Sequence, residues 1–285
     1  MKVVTHGKAG DLHVPDYRVP SSPLVLLPQT DWWKLFIDRK YHKEAAPYLL
    51  FDREKSKGFH AVMMRVFRTH LGPDSSLGTR LDFDFYERLY HEVSDEVGGI
   101  AHRGRSGTNA PVGATHFPME YTPTPLALTE LFAEGVGIYN LQTGERREPL
   151  HEIAVYYPTG MMAGRLSVAY RMEDVPALAN AIFDRFYLEL VLAGGNPLNE
   201  LRAIVKAVRS LHVHHFFRDA NGRLNTMVVL NKWLMESGFP PAILSDPAIF
   251  GGAFSINDLV KKVVKAMHRI LRLMQAEQLF RKFGE

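Results

Sequence analysis

The stretch His215-Phe216-Phe217-Arg218-Asp219-Ala220-Asn221-Gly222-Arg223 decides how the rest of the chain is interpreted. Apolar residues at helical spacing lead into it, and a second apolar run leads out of it. A histidine, a carboxylate, a small-residue turn and an arginine therefore lie within one short connection between two predicted helices. This pattern predicts a loop that ends at the N-terminus of a helix.

The residue types of this loop suit the handling of a phosphate-bearing molecule. A helix N-terminus presents unpaired N–H groups and the positive end of a dipole, and the small residues at 220–222 let the backbone approach a phosphate closely. Arg223 can hold phosphate oxygens, and Asp219 is the kind of oxygen ligand that Mg²⁺ takes beside substrate phosphates. His215 titrates near neutrality and can accept a proton from a hydroxyl. Together these residues favour transfer of a phosphorus-containing group to an alcohol.

Each of these residues also has a structural interpretation. Histidines are stabilised at a helix C-terminus by the dipole, Arg218, Asp219 and Arg223 can form a solvated charge cluster, and Asn-Gly is a common turn. The complete set in one register favours the functional interpretation. His212 and His214 are out of that register, and we expect them to have structural or supporting roles.

The loop resembles the Fic motif, whose common form is H-P-F-x-D/E-G-N-G-R-x-x-R. The match covers His215, Phe217, Asp219, Asn221, Gly222 and Arg223. The sequence departs from the motif at Phe216 (usually proline), Ala220 (usually glycine) and Thr226 (usually arginine). The resemblance implies that His215 is the general base, that Asp219 holds Mg²⁺, and that Ala220, Asn221, Gly222 and Arg223 bind the phosphates.

The resemblance also implies a mainly α fold. We expect a Fic-fold helical bundle with a small β-hairpin flap and an N-terminal helical extension. Residues 1–80 are assigned to an N-terminal arm and this extension, and residues 81–285 to the Fic-like domain, with the motif at 215–226. Alternating apolar residues predict the hairpin at about 151–170. As a flap it would bind a target segment by strand addition through Val155, Tyr157 and Met161, and the alternative is an ordinary ribbon packed on helices.

Helix start signals place the main helices around the motif. Asp82 or Asp84 can begin a helix before the motif, and Asn196-Pro197 is a strong cap and first position for the helix that ends at His215. Ser255 with Asp258 resembles a capping box for a final helix of roughly 25 residues. A turn at 100–107 loosely resembles the glycine- and arginine-containing turn of Fic proteins.

Three functions follow from these observations. The first is transfer of a nucleotide monophosphate from a nucleoside triphosphate, with ATP as the expected donor, to a Ser, Thr or Tyr hydroxyl of a target protein. The second keeps Fic chemistry but transfers phosphate or phosphocholine, because Ala220 and Thr226 alter the phosphate site. Because Thr226 replaces the second arginine, three outcomes are open: ATP binds weakly, Arg103, Arg105 or Arg165 supplies another contact to the phosphates, or the donor is a CDP- or UDP-linked compound. The third is a non-catalytic Fic-fold binding module.

Many Fic proteins inhibit themselves with a glutamate in an S/T-x-x-x-E-G/N motif. Here Thr129 to Glu134-Gly135 is one residue too long, and it is interpreted as a helix end with Gly135 as the stop. The chain is therefore expected to be active unless a separate protein inhibits it. The resemblance then implies a bacterial toxin or effector, which acts in the cytoplasm or reaches a host or target cell through a specialised secretion system.

Composition excludes several other classes of function. The 285 residues carry a net charge of only +3 and no dense basic tract with aromatics, which argues against nucleic-acid binding. No apolar run is long enough for a membrane span, and the N-terminus lacks a signal-peptide core. The chain has no cysteine, so disulfides, thiolate catalysis and cysteine zinc sites are excluded.

Overall fold

The computed structural model describes residues 24, 27–73, 75, 77–98, 104–105, 117–118, 124–133, 136–140, 146–147, 152–157, 165–169 and 172–283. The chain is mainly helical, as predicted. Its described residues fall into two units. The first contains residues 104–221 and 247–260, and the second contains residues 24–98, 222–246 and 261–283. The functional boundary at residue 80 stays a prediction.

The second unit begins with short helices rich in aromatic residues. Two 3₁₀ helices, Gln29–Leu35 and Arg39–Tyr41, precede α1 (Pro47–Glu54), α2 (Phe59–His70) and α3 (Phe83–Ser94). The predicted cap of α3 is confirmed, because the Asp82 carboxylate accepts a hydrogen bond of 2.8 Å from the Phe85 N–H. Helices α2 and α3 pack together through apolar faces that are almost fully buried.

The first unit contains the helix that leads to the motif. It includes α4 (Pro125–Ala133), α5 (Val175–Ala193) and α6 (Pro197–His214). As predicted, Asn196 caps α6, and its side-chain oxygen accepts a 3.1 Å hydrogen bond from the Asn199 N–H. Helix α5 ends at Ala193 and is followed by Gly194, whose φ of 58° is left-handed. Helices α5 and α6 pack against each other.

After the motif the chain continues through a π-helical turn, Arg223–Val229, into α7 (Leu230–Glu236). The π-helical turn was not predicted, because apolar spacing does not separate it from an α-helix. A 3₁₀ turn, Pro247–Phe250, precedes α8 (Ile256–Phe283). The predicted capping box of α8 is confirmed: the Ser255 hydroxyl donates to Asp258 at 2.7 Å and accepts from the Asp258 N–H at 3.2 Å.

The predicted hairpin is present, and it belongs to a larger sheet in the first unit. Strands β1 (Phe117–Pro118), β2 (Val136–Asn140), β3 (Arg146–Arg147), β4 (Glu152–Tyr157) and β5 (Arg165–Ala169) are arranged in the order β1-β5-β4-β2-β3. Strands β4 and β5 form the antiparallel hairpin. Strand β2 pairs in parallel with β4, and β1 pairs with β5, so both strands of the hairpin already have a second neighbour.

Candidate active site

His215 ends α6 in a left-handed conformation. Its φ is 51°, its ψ is 55°, and its N–H donates to the Leu211 carbonyl at 3.2 Å. A non-glycine residue with positive φ is uncommon and often lies at a functional or strained position. The conformation stops the helix and turns the chain into the motif loop, while the imidazole remains buried.

Asn221 holds the motif loop together. Its side-chain oxygen accepts from the Phe217 N–H at 3.2 Å, and its amide nitrogen donates to the Phe217 carbonyl at 2.6 Å. The same nitrogen lies 2.9 Å from Nε2 of His215. Because an amide nitrogen is a donor, Nε2 of the neutral ring is the acceptor and the ring proton is on Nδ1. Asn221 therefore orients the predicted base as well as closing the loop.

Burial keeps the predicted base uncharged. It lowers the pKa of His215 well below the ordinary histidine value, and the nearby His212 lowers it further. Burial also lowers the pKa of His212, to about 4. Both imidazoles are thus neutral at pH 7, the form that accepts a proton. His214 has a structural contact, since its Nδ1 lies 2.8 Å from the Ser210 carbonyl one turn earlier.

Asp219 is the predicted magnesium ligand, and it is half-buried. One of its oxygens accepts a 2.6 Å hydrogen bond from the N–H of Ala220, which leaves the other oxygen for a cation. No group of three metal-ligating side chains exists among the residues that the structure describes. A single carboxylate fits Mg²⁺ only if the ion takes further oxygen ligands from the substrate phosphates and water, as Mg²⁺ commonly does.

The motif loop is paired with the segment at 104–105. Arg105 and Phe217 form an isolated β-bridge, and the Arg218 N–H donates to the Gly104 carbonyl at 3.0 Å. These two residues are the described part of the turn predicted at 100–107, and Arg103 lies outside the described residues. The backbone at Gly104 and Arg105 therefore lies against the motif.

The motif is divided between the two units: residues 215–221 belong to the first, and Gly222 and Arg223 to the second. In the second unit, Arg223 begins the π-helical turn. Its Nη2 donates a hydrogen bond to the hydroxyl of Ser56, and its guanidinium carbon lies 4.7 Å from the centroid of the Phe59 ring. Sequence reasoning missed both partners, because a single serine or phenylalanine far from the motif gives no signal.

Thr226 occupies the position of the second motif arginine. Only 1 % of its surface is exposed, and its hydroxyl donates to the Gly222 carbonyl at 2.6 Å. The neighbouring Asn225 accepts a 2.7 Å hydrogen bond from the buried hydroxyl of Tyr86. Burial raises the pKa of that phenol. A buried threonine that bonds its own helix cannot be replaced by arginine without placing a cation in the interior.

The remaining predicted residues have less defined positions. In the sheet Val155 is paired with Leu166 and Ile138, and Tyr157 with Asn140. Met161, Glu134 and Gly135 lie outside the described residues. Target binding by the flap and the end of a helix at Gly135 therefore stay predictions. The backbone of Arg165 is paired in β5.

Comparison with known proteins gives a partial relative. The chain is 38% identical over 105 residues to phosphocholine transferase AnkX of Legionella pneumophila subsp. pneumophila (strain Philadelphia 1). The match covers 36% of this chain and 11% of AnkX, so it spans a small part of that protein. No family model matches the chain. None of the helices in the described part of the chain is long and apolar enough to cross a membrane.

Proposed function

We propose that the chain is a Fic-type transferase that moves a phosphorus-containing group from a nucleotide-linked donor to a hydroxyl side chain of a target protein. The observation that carries this proposal is the arrangement of His215 and Asn221, in which a buried, neutral imidazole is oriented by the amide that also closes the loop. The partial relationship to a transferase supports the same class of reaction. A binding module would not need an oriented neutral base.

In the proposed reaction, the hydroxyl of the target protein attacks phosphorus. The target hydroxyl oxygen forms a new bond to phosphorus, its proton passes to Nε2 of His215, and the phosphoanhydride bond to the leaving group breaks. The incoming hydroxyl replaces Asn221 at Nε2, and the amide keeps its carbonyl partner on Phe217. Mg²⁺, held by Asp219 and phosphate oxygens, would stabilise the charge on the phosphates. Arg223 would add a permanent positive charge.

Two donors are candidates. Phosphocholine transfer is supported by the partial relative, a phosphocholine transferase, and by the departures from the common motif at Ala220 and Thr226. The CDP-linked donor of that group would be CDP-choline. A nucleotide monophosphate from ATP or another triphosphate is supported by the retained Asp219, Asn221 and Arg223. The leaving group would be CMP in the first reaction and pyrophosphate in the second.

The test is transfer to proteins of a host-cell lysate, read by intact-mass analysis. The purified chain is incubated with Mg²⁺ and either CDP-choline or each nucleoside triphosphate, since added phosphocholine, AMP, UMP and phosphate differ in mass. His215→Ala is expected to lower transfer by about 100- to 10,000-fold. His214→Ala is the matched control, because that ring bonds its own helix. Equal loss in both variants would remove His215 as the base, and no transfer from any donor would refute the function.

A further inference from the structure

We infer that Ser56 and Phe59 are positioning residues, which hold the Arg223 guanidinium in place for the phosphates of the donor. This inference rests on the proposed function. It concerns three side chains of the second unit: the Ser56 hydroxyl accepts from Nη2, and the Phe59 ring lies under the guanidinium at 4.7 Å. We call Ser56 and Phe59 the arginine seat.

The arginine seat holds a cation without neutralising it. A carboxylate partner would cancel much of the positive charge, whereas a hydroxyl and an aromatic face bind the guanidinium while both remain neutral. The hydrogen bond fixes one edge of the planar group and the ring fixes its face. The arginine seat therefore orients the guanidinium, a group that binds phosphate oxygens, without adding a negative charge beside it.

The arginine seat is itself rigidly supported. Ser56 is 4 % exposed and Phe59 is fully buried. Both flank a turn in which Gly58 has a left-handed φ of 82°, and a Cβ there would lie 3.2 Å from the Glu96 carbonyl. The Lys57 carbonyl accepts a 2.8 Å hydrogen bond from the Gly98 N–H. A seat fixed at its backbone and packed at its ring can hold the arginine in one orientation.

Holding the arginine has a direct effect on donor affinity. An arginine side chain has several rotatable bonds, and ordering them when the donor binds costs free energy. If the arginine seat has already ordered these bonds, the donor does not bear that cost in free energy and binds more tightly. Loss of the seat should therefore weaken donor binding and raise KM, with a smaller effect on kcat.

The experiment compares seat variants with matched controls for packing. Ser56→Ala and Phe59→Leu remove the two contacts. Ser94→Ala and Phe67→Leu are the controls, because both residues are buried in the same unit and are not part of the arginine seat. Calorimetry with Mg²⁺ plus ATP, and with Mg²⁺ plus CDP-choline, gives Kd for each protein, and initial rates with the transferred donor give KM and kcat.

We expect Ser56→Ala and Phe59→Leu to weaken donor binding about three- to tenfold, with KM raised in parallel and kcat within about twofold. Ser56→Thr, which keeps the hydroxyl, should return towards the wild-type Kd. In an Arg223→Gln background the seat variants should not change the Kd for the donor any further. A purely structural role of Ser56 and Phe59 would still weaken binding there. Ser56→Ala removes a single oxygen and carries the test even where Phe59→Leu fails to fold.

The outcomes separate this inference from the proposed function. If the wild type transfers a group but the seat variants match Ser94→Ala and Phe67→Leu, the positioning role is wrong and the proposed function stands. If the wild type neither binds nor transfers from any donor, the proposed function fails and the positioning role fails with it. Weakened binding that persists in full in the Arg223→Gln background would also overturn the inference.

Discussion

Ala220 combines an unusual backbone with an unusual residue choice. Its φ is 61°, in the left-handed region, and the Fic motif usually has glycine at this position. An L-residue pays about 1–2 kcal/mol for this conformation. Glycine avoids that cost but loses about 0.5–1 kcal/mol more backbone entropy on folding. Ala220→Gly should therefore raise the free energy of unfolding by about 0.5–1 kcal/mol, as measured by urea denaturation.

The control for this change is an alanine inside a helix. Ala207 is buried in α6, where glycine is unfavourable, so Ala207→Gly should lower the free energy of unfolding by about 1 kcal/mol. Transfer activity should survive Ala220→Gly, because the motif tolerates glycine. A loss of stability equal to that of Ala207→Gly would show that the alanine methyl makes contacts worth more than the strain.

The buried His212 predicts a loss of stability in acid. Its pKa is about 4 in the folded protein and about 6.5 when unfolded, so the unfolded state binds more protons below pH 6.5. Burial of His212 therefore leaves the free energy of unfolding unchanged above pH 6.5. It lowers that free energy progressively as the pH falls from 6.5 towards 4, and by a constant amount below pH 4. Between pH 7 and pH 5 the free energy of unfolding should fall by about 2 kcal/mol from this residue. Urea denaturation across this range should show a shallower pH dependence for His212→Leu, and an unchanged slope would contradict the burial.

Motif spacing predicts the positions of the site residues but not their partners. The sequence pattern places His215 at a helix end and Asn221 in a tight loop, and both placements are found. Ser56 precedes Arg223 by 167 positions, and a contact over that separation depends on tertiary packing. The left-handed φ of Ala220 was not predicted either, because an alanine gives no sequence signal for a positive φ.

At the scale of elements, one glutamate of the first unit, on α4, contacts α6 and the first turn of α8. Glu130 on α4 forms a 2.6 Å ion pair with Arg209 on α6, whose side chain is fully buried. It also accepts a 2.8 Å hydrogen bond from the Ile256 N–H, at the start of α8. Removing one partner of a buried pair is costly because the other charge loses its compensation.

Glu130→Ala should lower the free energy of unfolding by about 3 kcal/mol, as measured by urea denaturation. Glu189→Ala is the control. Glu189 pairs with Lys206, and both side chains are partly exposed, so that change should cost less than about 1 kcal/mol. Equal effects of the two substitutions would mean that the α4–α6 pair contributes no more than a surface pair.

The N-cap residues predicted where three helices begin. The full sheet and the π-helical turn could not be predicted in this way, because they depend on tertiary contacts. Asp82, Asn196 and Ser255 each form the predicted capping hydrogen bond. Alternation revealed the hairpin of β4 and β5, but β1 and β3 have two residues each and are too short to leave a pattern. The turn at Arg223–Val229 carries Asn225 and Thr226 at buried positions, and π-helical turns frequently occur at functional sites.

At the scale of the whole molecule, the net charge of +3 is the difference between 34 basic and 31 acidic residues. So small an excess gives little long-range attraction for an anionic donor. Under the proposed function, donor affinity would come from the local groups of the motif, chiefly Arg223 and a metal ion. Binding of the metal and binding of the donor would then depend on each other.

The last prediction is that Mg²⁺ and the donor bind cooperatively. Asp219 is a single half-buried carboxylate with one oxygen already bonded to the Ala220 N–H, and no cluster of three metal ligands occurs in the described ranges. Mg²⁺ alone should thus bind weakly, and phosphate oxygens should complete its coordination. By linkage, the factor by which Mg²⁺ tightens the donor equals the factor by which the donor tightens Mg²⁺. We expect about tenfold or more by calorimetry, a much smaller factor in Asp219→Asn, and loss of transfer in EDTA. Tight Mg²⁺ binding without donor that persists in Asp219→Asn would place the ion elsewhere and remove Asp219 from the proposed mechanism.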